Sequence, residues 1–397
     1  MNADLSIQLK RSIAAPAAAL YQAFTNATAL TGWLCDTATV QPRPGGRIYL
    51  AWNDGYYSAG EYLALEADKK VAFSWRGKDE PATIVEITLL ESQGKTELTL
   101  NHSEIEGKEA QEGFLQEWTA ALENLESTCT SGADLRLTRR PMVGIFVNDF
   151  NAEIAAKLGV PVDYGTRISA VVEGMGAQAA GLQQDDVIFN LDGRELKLPT
   201  DFQAVIRSKK AGDPVLVSFY RGAEKHTVEM TLSGRQFPAV AESGQALAET
   251  VKNGYHAALS ELRALLADVT QAEANRAPAE GEWSVMETLA HLVLGERGIF
   301  DYIADQYVSQ VRWVDDWGGN VPEPHTALIM VHPTIADMLA ELEKAVHETV
   351  ALLKTMPESF YARKHAYWVL ATQLPQNDGH LRSHMAQIEA AIKAARA

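Results

Sequence analysis

His380-Leu381-Arg382-Ser383-His384 sets two imidazoles four residues apart near the end of a 397-residue chain. On a helix, residues i and i+4 share one face, one turn apart. Two rings so placed can both reach one ion at about 2.0–2.1 Å, the usual zinc–nitrogen distance. The surrounding pattern is helical. Leu247, Val251, Tyr255, Leu259, Leu262, Leu265 and Leu266 form a stripe that predicts a helix from Ala246 to Asp268. A second is expected from Ser284 to Ala304, where Ser284 with Glu287 three residues on makes a capping box. A third runs from Thr334 to Lys354 and stops before Pro357, and a fourth, carrying the histidine pair, from Asn377 to Ala395. Four long helices with modest links predict an all-α four-helix bundle over residues 240–397. Gly318 to Pro333 reads as a long Gly- and Pro-containing connection, and Tyr361 to Pro375 as room for one extra short helix.

Seven of the ten histidines follow residue 290. The segment Gly281-Glu282-Trp283-Ser284-Val285-Met286-Glu287-Thr288-Leu289-Ala290-His291-Leu292 supplies one more on the second helix. Together with His380-x-x-x-His384-x-x-Gln387-Ile388 it resembles the DinB-like family. The resemblance implies that His291, His380 and His384 meet in the bundle around a divalent metal ion. Imidazole ligation suits zinc, nickel or another first-row ion, with zinc or nickel expected here. Three neutral donors leave open positions on the dication, the layout of a catalytic rather than a closed structural site. The competing reading is a core His291 and two solvated partners. Asp378 and Glu296 lie near in sequence as acceptors for the imidazole N–H groups. His325, His332, His347 and His365 are left over; His325 and His332, in or beside the long connection, either approach the bundle mouth or, as is expected, lie on the surface.

Upstream, residues 139–236 have a different texture. Ala180-Gly181-Leu182 is followed by Asp186-Val187-Ile188 and then Asp192-Gly193. A strand is expected at Met142–Val147, a short helix at Glu153–Leu158, a strand at Gly165–Val172 and a helix at Thr200–Lys209. Pro214–Tyr220 and Glu224–Leu232 then form a hairpin around Arg221-Gly222. This block resembles a PDZ domain of the HtrA-protease type, a mainly-β fold. The resemblance makes Val143-Gly144-Ile145 the carboxylate-binding loop, where a glycine turn aims successive N–H groups at one place. The implied partner is the C-terminal peptide of another protein, added as a strand. No Gly-x-Ser-Gly segment with His and Asp partners accompanies it. A domain used only as a spacer is the alternative.

Residues 1–135 read as α+β. Ser6–Ile13 alternates as a half-buried strand, Pro16–Phe24 and Ala27–Leu34 are helical, and short β runs follow at Arg47–Trp52, Tyr56–Glu66, Lys70–Trp75, Thr83–Glu91 and Thr96–His102. Phe114, Leu115, Trp118, Ala121, Leu122 and Leu125 recur at helical intervals and close the segment with a long helix. This order resembles the SRPBCC, or START-like, helix-grip superfamily, in the branch of activator of heat-shock-protein-90 ATPase homologues. Ala15-Pro16-Ala17, Leu30–Trp33 and Gly113-Phe114-x-x-x-Trp118-x-x-x-Leu122-x-x-Leu125 carry it. Trp33, Trp52, Tyr57, Trp75, Phe114 and Trp118 either line an apolar cavity for a small apolar ligand or simply fill the core.

Composition narrows the partners. The net charge of −17 argues against nucleic acid and anionic membrane, which need a basic face. Arg136, Arg139 and Arg140 form a small basic run read as an interdomain linker. The N-terminus lacks a basic region followed by an apolar stretch, no run reaches membrane-spanning length, and only Cys35 and Cys129 occur. A cytoplasmic protein is therefore expected, with Cys129 an ordinary half-buried thiol. The family resemblance implies metal-assisted transfer of a small thiol. Metal-assisted hydrolysis and a non-enzymatic adaptor are the alternatives.

Overall fold

The computed structural model describes residues 5–308 and 322–397. The chain forms two compact units, one from Met1–Ala133 together with Pro238–Ala397, the other from Asp134–Phe237.

In the first unit, β1 (Leu5–Ile13) leads into α1 (Ala17–Thr25) and α2 (Ala27–Trp33). Pro16 stands one residue before α1 with extended backbone, so it caps the helix rather than opening it. Six strands follow: β2 (Thr37–Val40), β3 (Arg47–Ala51), β4 (Tyr57–Glu66), β5 (Lys70–Trp75), β6 (Thr83–Ser92) and β7 (Lys95–Ile105). They form an antiparallel sheet in the order β1-β7-β6-β5-β4-β3-β2. β2 is the one strand here that the sequence pattern did not announce. Its four residues, Thr-Ala-Thr-Val, are too few to show an alternation. Along β6, Thr83, Val85, Ile87 and Leu89 all point inward, the period-2 signature of a sheet with one covered face. The cover is α3 (Lys108–Thr130), which buries Trp118, Leu122 and Leu125. Leu115 belongs to the same helical pattern yet is 42% exposed, because it sits at the edge of the stripe.

The rest of this unit is helical. α6 (Gly244–Leu266), α7 (Val285–Val308), α8 (Pro322–Val331), α9 (Ile335–Lys354), α10 (Lys364–Gln373), α11 (Asp378–Ser383) and α12 (Met385–Arg396) enclose one apolar core with Leu247, Tyr255, Leu289, Val293 and Ile388 at its centre. The capping box is formed: Glu287 N–H donates to Ser284 Oγ at 3.2 Å, and Ser284 N–H donates to Glu287 Oε2 at 2.8 Å.

Two expectations need correction. The stretch 318–333 is not a plain connection: residues 318–321 lie outside the described residues, and Pro322–Val331 is helix α8. A proline in a first turn costs a helix nothing there, since its missing N–H would have had no partner. The last helix is also not continuous, because it breaks at His384 (φ −86°, ψ −9°) into α11 and α12.

The helix-grip segment and the bundle meet at Gly132. With φ +87° it favours glycine, and an added Cβ would lie 2.5 Å from the Lys364 carbonyl oxygen and 2.7 Å from Trp368 Cβ. His365 Nδ1–H donates to the Gly132 carbonyl at 2.9 Å.

The second unit is a sheet of β8 (Ile145–Asn148), β9 (Thr166–Val171), β10 (Val187–Leu191), β11 (Pro214–Arg221) and β12 (Glu224–Thr231), in the order β12-β11-β10-β9-β8, with α4 (Ala152–Leu158) and α5 (Pro199–Arg207). Asp186 is fully buried here and accepts two hydrogen bonds from Arg221 (2.8 Å each) and one from Gln183 N–H (2.8 Å). A buried carboxylate so paired has its lone pairs satisfied. Arg136, in the small basic run, pairs with Asp134 at 2.7 Å.

Candidate metal centre

α7 presents His291, α11 presents His380, and the break between α11 and α12 carries His384. Their ligand atoms all lie within 4.8 Å of one another. His380 Nε2 is 3.2 Å from His291 Nε2 and 3.2 Å from His384 Nε2. One ring nitrogen has either one hydrogen or one lone pair in its plane, so it makes at most one good hydrogen bond. Two such contacts on the same nitrogen are instead the spacing of ligands that share an ion at about 2.0–2.1 Å. The donor chemistry and the convergence both fit a divalent metal.

Local structure orients the rings. His384 Nδ1 lies 2.8 Å from Gln387 Oε1. With the amide oxygen as acceptor, Nδ1 carries the hydrogen and Nε2 turns its lone pair to the cluster, the role of an outer-shell partner. The break at His384 leaves the next turn of α12 to bring Gln387 up. Removing such a partner typically costs ten- to a hundredfold in metal affinity. Gln387→Ala is expected to weaken zinc binding by about that factor, read by competition with a chromophoric chelator, and unchanged affinity would remove Gln387 from this role.

Asp378 and Glu296, the acceptors suggested by sequence position, reach no imidazole among the described hydrogen bonds. Asp378 accepts from Arg382 at 3.3 Å. Glu296 is buried and accepts from the Tyr255 hydroxyl, while its Oε2 has no partner. Burial pushes its carboxyl up to about 7, against the hydrogen bond from Tyr255 that pulls it down.

His325 takes the alternative the sequence left open, the bundle mouth, and not the expected surface position. It is 5% exposed rather than on the surface, with its ring edge-on to Trp283 at 5.1 Å and to His291 at 5.9 Å. Trp283 also lies against His291 at 5.0 Å and His384 at 6.5 Å, so an indole and a fourth imidazole wall the site. Burial, then the neighbouring His384, His380 and His325, holds His291 down at about 4. Partial burial and His384 lower His380 as well. Neutral rings at neutral pH are the form that binds metal. His332 is half-buried, His347 exposed, and His365 lies at the Gly132 junction.

Among the other candidate residues, Val143 is buried and Gly144 has φ +84°, with an added Cβ only 2.4 Å from Met175 Cβ. Ile145 opens β8, which forms an edge of its sheet. In the helix-grip segment Trp33, Trp75 and Trp118 are buried in the core, where Trp75 packs on Trp118 at 5.5 Å and on Trp52 at 5.9 Å. Tyr57 pairs with Tyr49 instead. Its neighbour Tyr56 lines, with Phe114, a cleft of about 210 Å³ beside α3. Burial raises the Cys129 thiol to about 11, which leaves it unreactive at neutral pH. No described helix is long and apolar enough to cross a membrane.

Comparison with known proteins assigns each segment. Family models match at residues 14–130 (Activator of Hsp90 ATPase homolog 1-like protein), 141–232 (PDZ domain) and 255–388 (DinB superfamily). Curated relatives include a probable periplasmic serine endoprotease DegP-like of Marinomonas sp. (strain MWYL1), 28% identical over 24% of this chain and 20% of its own length. The periplasmic pH-dependent serine endoprotease DegQ of Escherichia coli (strain K12) is 29% identical over 24% of this chain and 21% of its own. The chain thus spans about a fifth of these relatives' length. Among solved structures, protein CV1439 from Chromobacterium violaceum is 26% identical, covering 31% of this chain and 94% of that one, with a TM-score of 0.29. The Aha1 dimer from Colwellia psychrerythraea is 20% identical, covering 31% and 95%, with a TM-score of 0.29. The chain therefore carries, in order, a domain like the activator of Hsp90 ATPase homologues, a PDZ domain and a DinB-like domain.

Proposed function

We propose that the DinB-like domain holds a zinc or nickel ion on His291, His380 and His384 and transfers a small thiol to an electrophile. The observation that carries this reading is the convergence of three imidazole nitrogens, with two 3.2 Å spacings on His380 Nε2. When bound, a dication on three neutral donors is a Lewis acid that favours the deprotonated form of a coordinated thiol or water. The protein's own residues do the rest. Gln387 fixes the tautomer of His384. Trp283 and His325 cover one side and exclude water there. Glutathione, cysteine or a sugar-linked thiol, offered with a dinitrophenyl halide, tests the reading. Metal-loaded protein is expected to consume thiol and electrophile in equal amounts, and chelated protein is not. Consumption of neither, with hydrolysis of an ester instead, would favour metal-assisted hydrolysis.

A second reading is supported by Gly144 and the β8 edge, namely capture of a C-terminal peptide by the PDZ domain. Backbone N–H groups of a glycine turn hold a carboxylate, and the edge strand accepts a new neighbour. A library of labelled peptides with free C-termini is expected to contain binders that lose affinity when amidated. Gly144→Val is expected to weaken them about tenfold or more, since its side chain meets Met175. Peptides that bind equally well as amides would rule out carboxylate capture.

A further inference from the structure

A cleft of about 610 Å³ opens between α1, α2 and the last turn of α3 on one side and the start of α10 on the other. This volume is in the range of small-molecule sites. No strand lines it, so it lies outside the grip of sheet and long helix. It is distinct from the histidine centre, none of whose three residues takes part.

The lining combines apolar and basic surface with neutral polar residues, Gln22, Asn26, Thr28, Thr31, Thr128 and Gln306. Ala15, Ala23, Trp33, Leu125 and Val369 give an apolar body. Arg363, Lys364 and His365 follow one another on the bundle side, with His365 against Gly32. Among the described lining residues none is Asp or Glu, although the chain as a whole carries 52 acids against 35 lysines and arginines. A wall with two permanent cations, Arg363 and Lys364, and no acid among its described residues holds a local positive potential in so acidic a protein. Two further facts add to it. The Arg363 guanidinium is held in place by donating to the Tyr307 carbonyl at 2.6 Å and the Gln306 carbonyl at 2.7 Å, so its charge is fixed at the rim. The start of α10 has no side-chain cap, and the residues of its first turn, Lys364 to Ala366, border the cleft. Such a turn favours negative charge.

We propose that this cleft binds a small amphipathic organic anion, an apolar tail with one carboxylate or sulfonate head. The tail lies along Ala23, Leu125 and Val369, and the head meets Lys364 at the start of α10. Because both the helix-grip segment and the bundle line the cleft, an occupant ties the two together.

Titration calorimetry of the full chain with dodecanoate, and with dodecyltrimethylammonium as a cation of equal tail length, tests this. Dodecanoate is expected to saturate at one site per chain below its micellar range, and the cation is not. Lys364→Glu reverses the charge at the head end and is expected to weaken dodecanoate about tenfold or more. Ala19 is exposed and lines the cleft, so Ala19→Trp fills it without disturbing the core and is expected to do the same. A chelator should leave binding unchanged, which separates this site from the histidine centre. Equal binding of both surfactants, binding at many sites per chain, or parent-like binding by both variants would overturn the proposal.

Discussion

Alanine at position 380 is expected to strip the protein of its divalent metal while leaving it folded. His380 Nε2 is the atom that the other two ligand nitrogens both face at 3.2 Å. Losing an outer-shell partner costs ten- to a hundredfold in affinity, and losing a ligand should exceed that, about a hundredfold or more. His380 is not part of the apolar core, so its removal opens no core cavity. Elemental analysis after purification should find about one equivalent in the parent and close to none in the variant, with unchanged far-UV circular dichroism. A parent stripped with chelator and then gaining no thermal stability on adding zinc would also count against the site, because a ligand of the native state alone stabilises by mass action. Full occupancy in the variant would mean that the metal sits elsewhere.

Much of this site was legible in the sequence, and the misses have local causes. The i, i+4 spacing of His380 and His384 is a property of helix geometry and could be read directly. Gln387 stands three residues after His384, a spacing at which helix residues are neighbours, and the motif quoted with the histidine pair includes it without giving it a role. His325 could not be found that way. His325 stands between Pro322-Glu323-Pro324 and an unbroken run, Ala327-Leu328-Ile329-Met330-Val331. Two prolines suggest a link, and an apolar run with no period does not declare a helix face. The structure uses both prolines in a first turn and points His325 inward.

The helix-grip segment teaches a similar lesson about phase. Tyr56 and Tyr57 are adjacent, and a one-residue slip moves a side chain to the other face of a strand. The strand begins at Tyr57, so it is Tyr56 that faces the cleft with Phe114. The alternation along β6 fixed that strand's inward face, whereas the start of β4 follows the turn at Asn53-Asp54-Gly55 and had no such marker. The PDZ segment was the most readable, since Gly181, Asp186 and Gly193 answer to backbone and pairing demands that few other residues meet.

Protonation of His102 is expected to remove about 3 kcal/mol of stability as the solution is acidified. His102 is fully buried and sits between two fixed partners. Trp118 Nε1–H donates to its Nδ1 at 3.1 Å, and an indole can only donate. The remaining hydrogen is therefore on Nε2, which faces the Thr83 hydroxyl at 2.7 Å. A second hydrogen, on Nδ1, would point at the indole N–H. Burial lowers the imidazole from 6.5 to about 4. At 1.36 kcal/mol per pH unit that is about 3 kcal/mol. The sign follows from proton counts: between these two values the unfolded chain holds a proton that the folded chain does not. Stability from this residue is thus full above about pH 6.5, falls on acidification, and is gone by about pH 4. Glu296 works the other way, since its raised carboxyl makes the folded chain the better proton binder below about 7. The parent's own profile therefore mixes both, and the informative quantity is the difference between the parent and His102→Gln, which offers an amide acceptor and donor without titrating. Urea unfolding of both, in chelator so that the metal centre is common, should show the parent's advantage shrink by about 3 kcal/mol between about pH 7 and about pH 4. A difference that stays level across that range would mean that His102 is not held neutral, and that the Trp118–His102–Thr83 chain does not set its protonation.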